Sequence, residues 1–285
     1  MRVTNQMMST TYLKDLNKNL NNLNTLNKQL TTGKEISKPS DNPFKTARIM
    51  QMYSDISANK QYNENIKDTI NWLDTTDVAL EQIGNSAQRI RELMVSAGNA
   101  SYGSDEKNAL KEEINEKINE IAQVLNTNYD GKYIFGGTKS LSKPVGVEKD
   151  SNGNNILVFK DDNGNSFNEE GKAYIKNADG TIDRDANGNL KVEANPKPEY
   201  EKLLNQMNAN LSVEVSNGVN MNYNVGTPSI LTLKNGNNVM KLLNDVVNNL
   251  DKVDSSDVIK GNLEEMDLFV SNVSSIRGEV GAKQN

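Results

Sequence analysis

Three pentapeptides share one pattern: Asp150 to Asn154, Asp161 to Asn165 and Asp185 to Asn189 each read Asp-x-Asn-Gly-Asn. Carboxylates and amides gathered around a glycine are what the oxygen shell of a calcium ion takes, and Asp183, Asp185, Asn187 and Gly188 copy the first half of a calcium loop. The second half does not follow. Ala194 stands where the bidentate Glu is required, Glu193 falls one position early, and no flanking helices are expected. Turns built from residues that tolerate positive φ are the favoured reading, with a calcium-dependent extracellular binding module kept as an alternative. No metal is assigned.

Other chemistries are closed off by residue type. The 285 residues include no His and no Cys, which removes imidazole bases, thiol nucleophiles, zinc sites built on either residue, haem ligation by histidine, and disulfides. No Gly-x-Ser-x-Gly elbow occurs, and Glu112-Glu113 and Glu169-Glu170 are adjacent charges expected to face solvent rather than a catalytic pair. The reading is a non-enzyme with no cofactor. A net charge of −6 gives no basic surface for nucleic acid. No apolar run of eighteen residues is present, and Met1 to Ser9 lacks the basic start and apolar centre of a secretory signal, so neither membrane insertion nor ordinary signal-dependent export is expected.

With 35% hydrophobic residues, one large spherical core is out of reach, and an elongated, mainly α protein is expected: an antiparallel helical bundle or coiled coil with a small β-rich insert. Leu13, Leu16, Leu20, Leu23, Leu26 and Leu30 recur every three or four positions among Lys, Asn, Thr and Gln. That spacing predicts a helix with one narrow apolar seam, carrying a stammer where Leu23, Leu26 and Leu30 shorten the heptad. Lys38-Pro39-Ser40-Asp41-Asn42-Pro43 must interrupt it, because each Pro removes a donor and restricts its predecessor. Asn42 as N-cap and Pro43 at the first helical position then open a second helix, with Asp41 near its positive end. From Phe44 to Ala97 no Pro occurs, and Ile66, Ile70, Leu73, Asp77, Leu80, Ile83, Ala87, Ile90, Met94 and Ala97 follow heptad spacing. Asp77, the polar exception, is expected to reach solvent. Trp72, the only Trp, is expected to pack beside Leu73.

Gly98 to Gly103 breaks the pattern and Ser104-Asp105-Glu106 reopens it, with Leu110, Ile114, Ile118, Ile121, Leu125 and Asn128 as the stripe of an antiparallel return helix ending at Asp130-Gly131. Lys132 to Gly137 reads as an alternating strand. From about Ser140, Asn, Asp and Gly punctuate short strand-like runs such as Ile156 to Phe159 and Ala173 to Ile175, and two more strands flank Asn217-Gly218. Helical spacing returns at Val239, Leu242, Val246, Leu250 and Val253, then at perfect sevens from Ile259 through Met266 and Val273 to Val280. The expected domains are residues 1–43, a terminal helix and turn; 44–138, the first half of a long-helix core; 139–232, the β-rich insert; and 233–285, the returning helices.

Arg2-Val3-Thr4, the segment from Leu30 to Pro43, and Arg89-Ile90-Arg91-Glu92-Leu93 resemble the N-terminal region of the bacterial flagellin superfamily. Asn128-Tyr129-Asp130-Gly131-Lys132-Tyr133-Ile134-Phe135-Gly136-Gly137-Thr138 is more similar to its hook-filament junction members than to its filament members. The resemblance covers residues 1 to about 140 well, the last helices loosely, and the β-rich middle not at all. It implies an extracellular subunit of the bacterial flagellum, exported by the flagellar type III apparatus without a cleaved signal. The partners implied are the first junction protein, flagellin, further copies in a ring, and an export chaperone at the C-terminal end. A flagellin filament subunit is the near alternative. The assembly interface implied comprises Leu13, Leu16, Leu20, Leu23, Leu26, Leu30, the turn Pro39, Ser40, Asp41, Asn42 and Pro43, and Ile66, Ile70, Leu73, Leu80 and Ile90. Members of the family continue past Gly278 to Lys283 into a terminal apolar helix, so the resemblance also implies a C-terminally truncated chain whose first forty residues lack their partner seam. Arg89 and Glu92, whose counterparts in some flagellins contact an innate immune receptor, are read here as a helix-surface ion pair worth about 0.3 kcal/mol.

Overall fold

A computed structural model describes residues 5–36, 38–98, 103–185, 188–250 and 256–284. The chain divides into two units, residues 1–63 and 64–285, and the helix Pro43–Ala97 runs through the division.

The first unit contains α1 (Asn5–Thr32) and the opening turns of α2 (Pro43–Ala97). Gly33 stops α1 in the left-handed region at φ 63°, with its N–H donating to the Gln29 carbonyl at 2.8 Å. The turn that follows is built as its residues dictate. Asp41 accepts from the Lys38 N–H at 3.0 Å, and Asn42 caps α2 by accepting from the Lys45 N–H at 3.0 Å, with Pro43 as the first helical residue. None of the residues of α1 is buried.

The second unit is built on the remainder of α2, and thirteen residues between Thr69 and Ala97 are buried. α3 (Ser104–Leu125) contributes Ile114, Ile118, Ile121 and Leu125, all fully enclosed, as its stripe predicted. Its end comes earlier than expected, because Asn126 and Thr127 turn out of the helix to open a two-residue hairpin, β1 (Asn128–Tyr129) with β2 (Lys132–Tyr133). The expected strand through Gly137 is therefore only two residues long. Ile134 and Phe135 continue as a turn, both buried.

An antiparallel sheet follows, β3 (Val145–Lys149), β4 (Asn155–Lys160) and β5 (Ser166–Phe167), in the order β3-β4-β5. β4 is buried on both faces: Leu157 and Phe159 join the helical core, while Ile156 and Val158 pack with Ile182 in a second, smaller cluster. The run Ala173 to Ile175 forms isolated bridges instead of a strand, Ala173 with Phe167 and Tyr174 with Val192. Two helices interrupt the segment read as β-rich, α4 (Pro198–Asn208) and the short α5 (Thr227–Leu231), each with a Pro in its first turn. Between them lies the hairpin β6 (Ser212–Ser216) with β7 (Val219–Asn222), turning at Gly218 as Asn217-Gly218 predicted. α6 (Val239–Leu250) and α7 (Ser256–Gln284) close the bundle, supplying Leu242, Val246, Met266, Phe269, Val273 and Val280 to the core. The fold is thus mainly α, a helical bundle carrying small antiparallel sheets. Val253, expected on the sixth helix, lies outside the described residues.

Candidate assembly interface

Leu13, Leu16, Leu20, Leu23, Leu26 and Leu30 are between 44% and 81% exposed. Six leucines on one helical stripe, uncovered to that extent, form a contiguous apolar surface of the kind that marks an interaction site. Pro39 and Ser40 are exposed beside it in sequence, whereas Asp41 and Asn42 have their side chains committed to the turn. Ile49, Met50, Tyr53 and Ile56 are likewise exposed along the first turns of α2. Lys45 pairs with Glu35 at 2.7 Å, and that hydrogen bond and charge hold the Glu35 carboxyl below its ordinary value.

The heptad residues of α2 split between two environments. Ile66 and Ile70 stay open, 36% and 38% exposed, but Leu73, Leu80 and Ile90 are fully enclosed in the chain's own core. Those three hold the bundle together and present nothing outward. Trp72 packs as expected, its ring edge-on to Tyr129 at 5.9 Å and to Tyr223 at 5.6 Å, so it ties both hairpins to α2.

Asp77 does not project freely into solvent. Its carboxylate receives two hydrogen bonds from Arg277 of α7, at 2.7 and 3.1 Å, and the same guanidinium reaches Glu81 at 2.9 Å. Arg91 pairs with Asp267, and the Gln284 amide donates to Asp74 at 2.9 Å. As numbers rise along α2 they fall along α7, so these pairs fix two antiparallel helices in register. The hydrogen bond from Arg277 to Asp77 raises the pKa of the guanidinium, as that from Arg89 to Glu113 does for Arg89. The Arg89–Glu92 pair exists at 3.0 Å, and Arg89 also bridges to Glu113 of α3 at 2.7 Å. Sequence reasoning reached only the local half of this network, since the other partners lie 24 to 210 residues away.

The segment Phe135 to Thr138 is a fastening point. A Cβ on Gly137, at φ 59°, would meet the carbonyl oxygens of Gln206 and Met207 at 2.4 and 2.6 Å, and one on Gly226 would meet the Met207 oxygen at 2.3 Å. Thr138 donates to Gln206 through both N–H and hydroxyl, and Thr227 donates to the Phe135 carbonyl in the same double fashion, all between 2.9 and 3.0 Å. Glycine is required because three backbones approach too closely for a side chain.

The Asp-x-Asn-Gly-Asn turns are three copies of one device. Asp150 and Asp161 each accept from the backbone N–H groups two and four residues on and from the amide of that last Asn, while Asp185 makes the last two contacts with Asn189. Ala186 and Asn187 lie outside the described residues. Asp150 has a second role: buried completely, it pairs with Arg184, whose Nε reaches it at 2.6 Å and whose guanidinium also meets the Gly188 carbonyl and Asn244 of α6. That network ties the sheet region to the bundle. Among the described residues, no three Asp or Glu side chains gather as a cation site, and no helix is long and apolar enough to cross a membrane.

The described residues thus present a register-locked helical bundle, ion pairs between its helices and an uncovered leucine seam. Residues 3–140 match the model of the bacterial flagellin N-terminal helical region. A flagellin of Salmonella paratyphi A is 29% identical over 145 residues, covering 50% of this chain and 29% of that protein. The chain thus aligns with under a third of the length of that relative. A protein of Vibrio parahaemolyticus described as flagellar hook-associated shares the fold at a TM-score of 0.61 with 18% identity, over 87% of this chain and 90% of its own. FlgL of Bacillus cereus follows at 0.53 and 19%, over 84% and 91%.

Proposed function

We propose that this chain is a structural subunit of the bacterial flagellum that joins the hook, through the first junction protein, to the flagellin filament. The observation that carries the reading is the exposed seam Leu13 to Leu30, an apolar stripe that needs a partner helix from outside the described residues. The fold shared with the hook-associated protein and with FlgL over more than four fifths of the chain supports the junction role in particular. The terminal helix and the Pro39 to Pro43 turn make the inter-subunit contacts, with Ile66 and Ile70 extending them, and the buried Leu73, Leu80 and Ile90 support them from within. The partners are the first junction protein, flagellin, further copies in a ring, and an export chaperone. Its place is outside the cell, reached through the flagellar type III apparatus.

Complementation tests this. The full-length gene, supplied to a strain lacking its junction protein, should restore swimming and keep flagellin on the cells. Continued shedding of monomeric flagellin into the medium, with this protein exported, would sink the junction role. A filament subunit is the second reading, favoured by the flagellin match over residues 3–140. Long filaments grown from this protein alone would establish it instead.

A further inference from the structure

The net charge of −6 is divided very unevenly. Residues 1–63 hold nine Lys and Arg against four Asp and Glu, for +5, and residues 64–285 hold 23 against 34, for −11. Opposite fields of that size on two units of one chain attract between copies and steer their encounter.

Each unit also carries a local feature of matching chemistry. In the first, a groove of about 370 Å³ lies between the turn and the start of α2, lined by apolar Ile36, Ile49, Met50 and Tyr53 together with Lys34 and Lys38. Among the described residues, neither of those two ammonium groups has an ion-pair partner, whereas the acid beside them, Glu35, is neutralised by Lys45. In the second, α2 presents Val78, 54% exposed, on one ridge with Asp74 four residues before and Glu81 three residues after. Asp77 adjoins them, and Arg277 serves Asp77 and Glu81, so these four charges still sum to −2.

We infer that the basic apolar groove of one copy seats the Asp74-Val78-Glu81 ridge of a second copy. The inference rests on the self-association proposed above and gives it a contact. Lys34 and Lys38 face Asp74 and Glu81, and Val78 enters among Ile36, Met50 and Tyr53. Groove and ridge are different patches, so the contact is head to tail: each copy keeps one unused groove or ridge for the next, the geometry that grows into a ring or a helix.

The absence of cysteine makes the test free of background. Single variants Lys38→Cys and Val78→Cys of the full chain, mixed and oxidised at low salt, should give a crosslinked mixed dimer as the main product. Either variant alone should give several-fold less, and 0.5 M salt should reduce the mixed yield several-fold. Lys34→Glu/Lys38→Glu should abolish association measured by sedimentation velocity, and a partner copy carrying Asp74→Lys/Glu81→Lys should restore it, circular dichroism confirming that both variants fold. Oligomers that crosslink indifferently, or that ignore the charge swap, would overturn this contact and leave self-association standing. A chain that stays monomeric overturns it too, while the junction role remains decided by complementation. Cosedimentation with phosphatidylglycerol vesicles without self-association would assign the groove to an anionic lipid surface and likewise refute the contact.

Discussion

One helix crosses two environments in this protein. Between residues 43 and 63, α2 buries nothing, and Met50, Met52, Tyr53 and Ile56 keep half or more of their surface; from Thr69 to Ala97 it buries thirteen residues. Apolar side chains recur along both stretches, so hydrophobic spacing alone does not explain the difference. What differs is supply: α3, α6 and α7 bring Ile114, Ile118, Leu242, Phe269 and Val273 to the second half, and no described element covers the first. A seam becomes core only where the same chain supplies the facing seam, and otherwise it remains a surface on offer to another molecule.

The largest contrast concerns charge. Arg184→Ala would strand the fully buried Asp150 carboxylate and should cost about 3–5 kcal/mol, seen as a drop in urea midpoint. Lys45→Ala, which removes the exposed pair with Glu35, should leave the midpoint close to that of the parent. Equal effects would erase the distinction between the units. Next come the leucines. Leu80→Ala empties a fully enclosed site and should cost about 2–5 kcal/mol, whereas Leu16→Ala should change the stability of the isolated chain by less than about 0.5 kcal/mol, both followed by thermal melting. Incorporation into flagella should respond in the reverse order among variants that still fold, with Leu16→Ala defective.

Smaller effects sharpen the same contrast. Desolvation pushes the Glu148 carboxyl up, but hydrogen bonds from Lys176 and Ser166 and the charges of Lys176 and Lys160 outweigh it and hold the pKa below the ordinary 4.5. A depressed acid stabilises above its unfolded value and loses that contribution as pH falls through the folded one, so melting temperature should decline below about pH 4.5. Glu148→Gln should flatten that decline, and an unaltered slope would remove Glu148 from the account. Smallest is Asp77→Asn. Removing the partly exposed pair with Arg277 should lower the melting temperature only slightly, with a loss that fades at high salt.

How much of this was legible beforehand follows the range of each interaction. The Asn42-Pro43 start of α2, the α3 stripe and the Asn217-Gly218 hairpin are local, and residue types within a few positions decide them. Asp77 was misjudged because its partner lies 200 residues away on α7, and no spacing rule within α2 reveals Arg277. The repeated aspartates resemble metal ligands until the chain turns their oxygens onto its own N–H groups. Gly137 and Gly226 serve the close passage of α4, an element that the Asn- and Gly-rich texture concealed. For the assembly surface, the leucine spacing identified the seam, and the structure adds that Leu73, Leu80 and Ile90 are enclosed while Leu13 to Leu30 are open.

Hydrogen exchange read by mass spectrometry tests the central claim most directly, comparing the isolated chain with flagella from complemented cells. The account predicts that amides of Asn5–Thr32 exchange fast in the isolated chain and slow by orders of magnitude in flagella, while those from Thr69 to Ala97 are protected in both. Equal protection of the two stretches in the isolated chain would contradict it, because the leucine seam would then already have its partner.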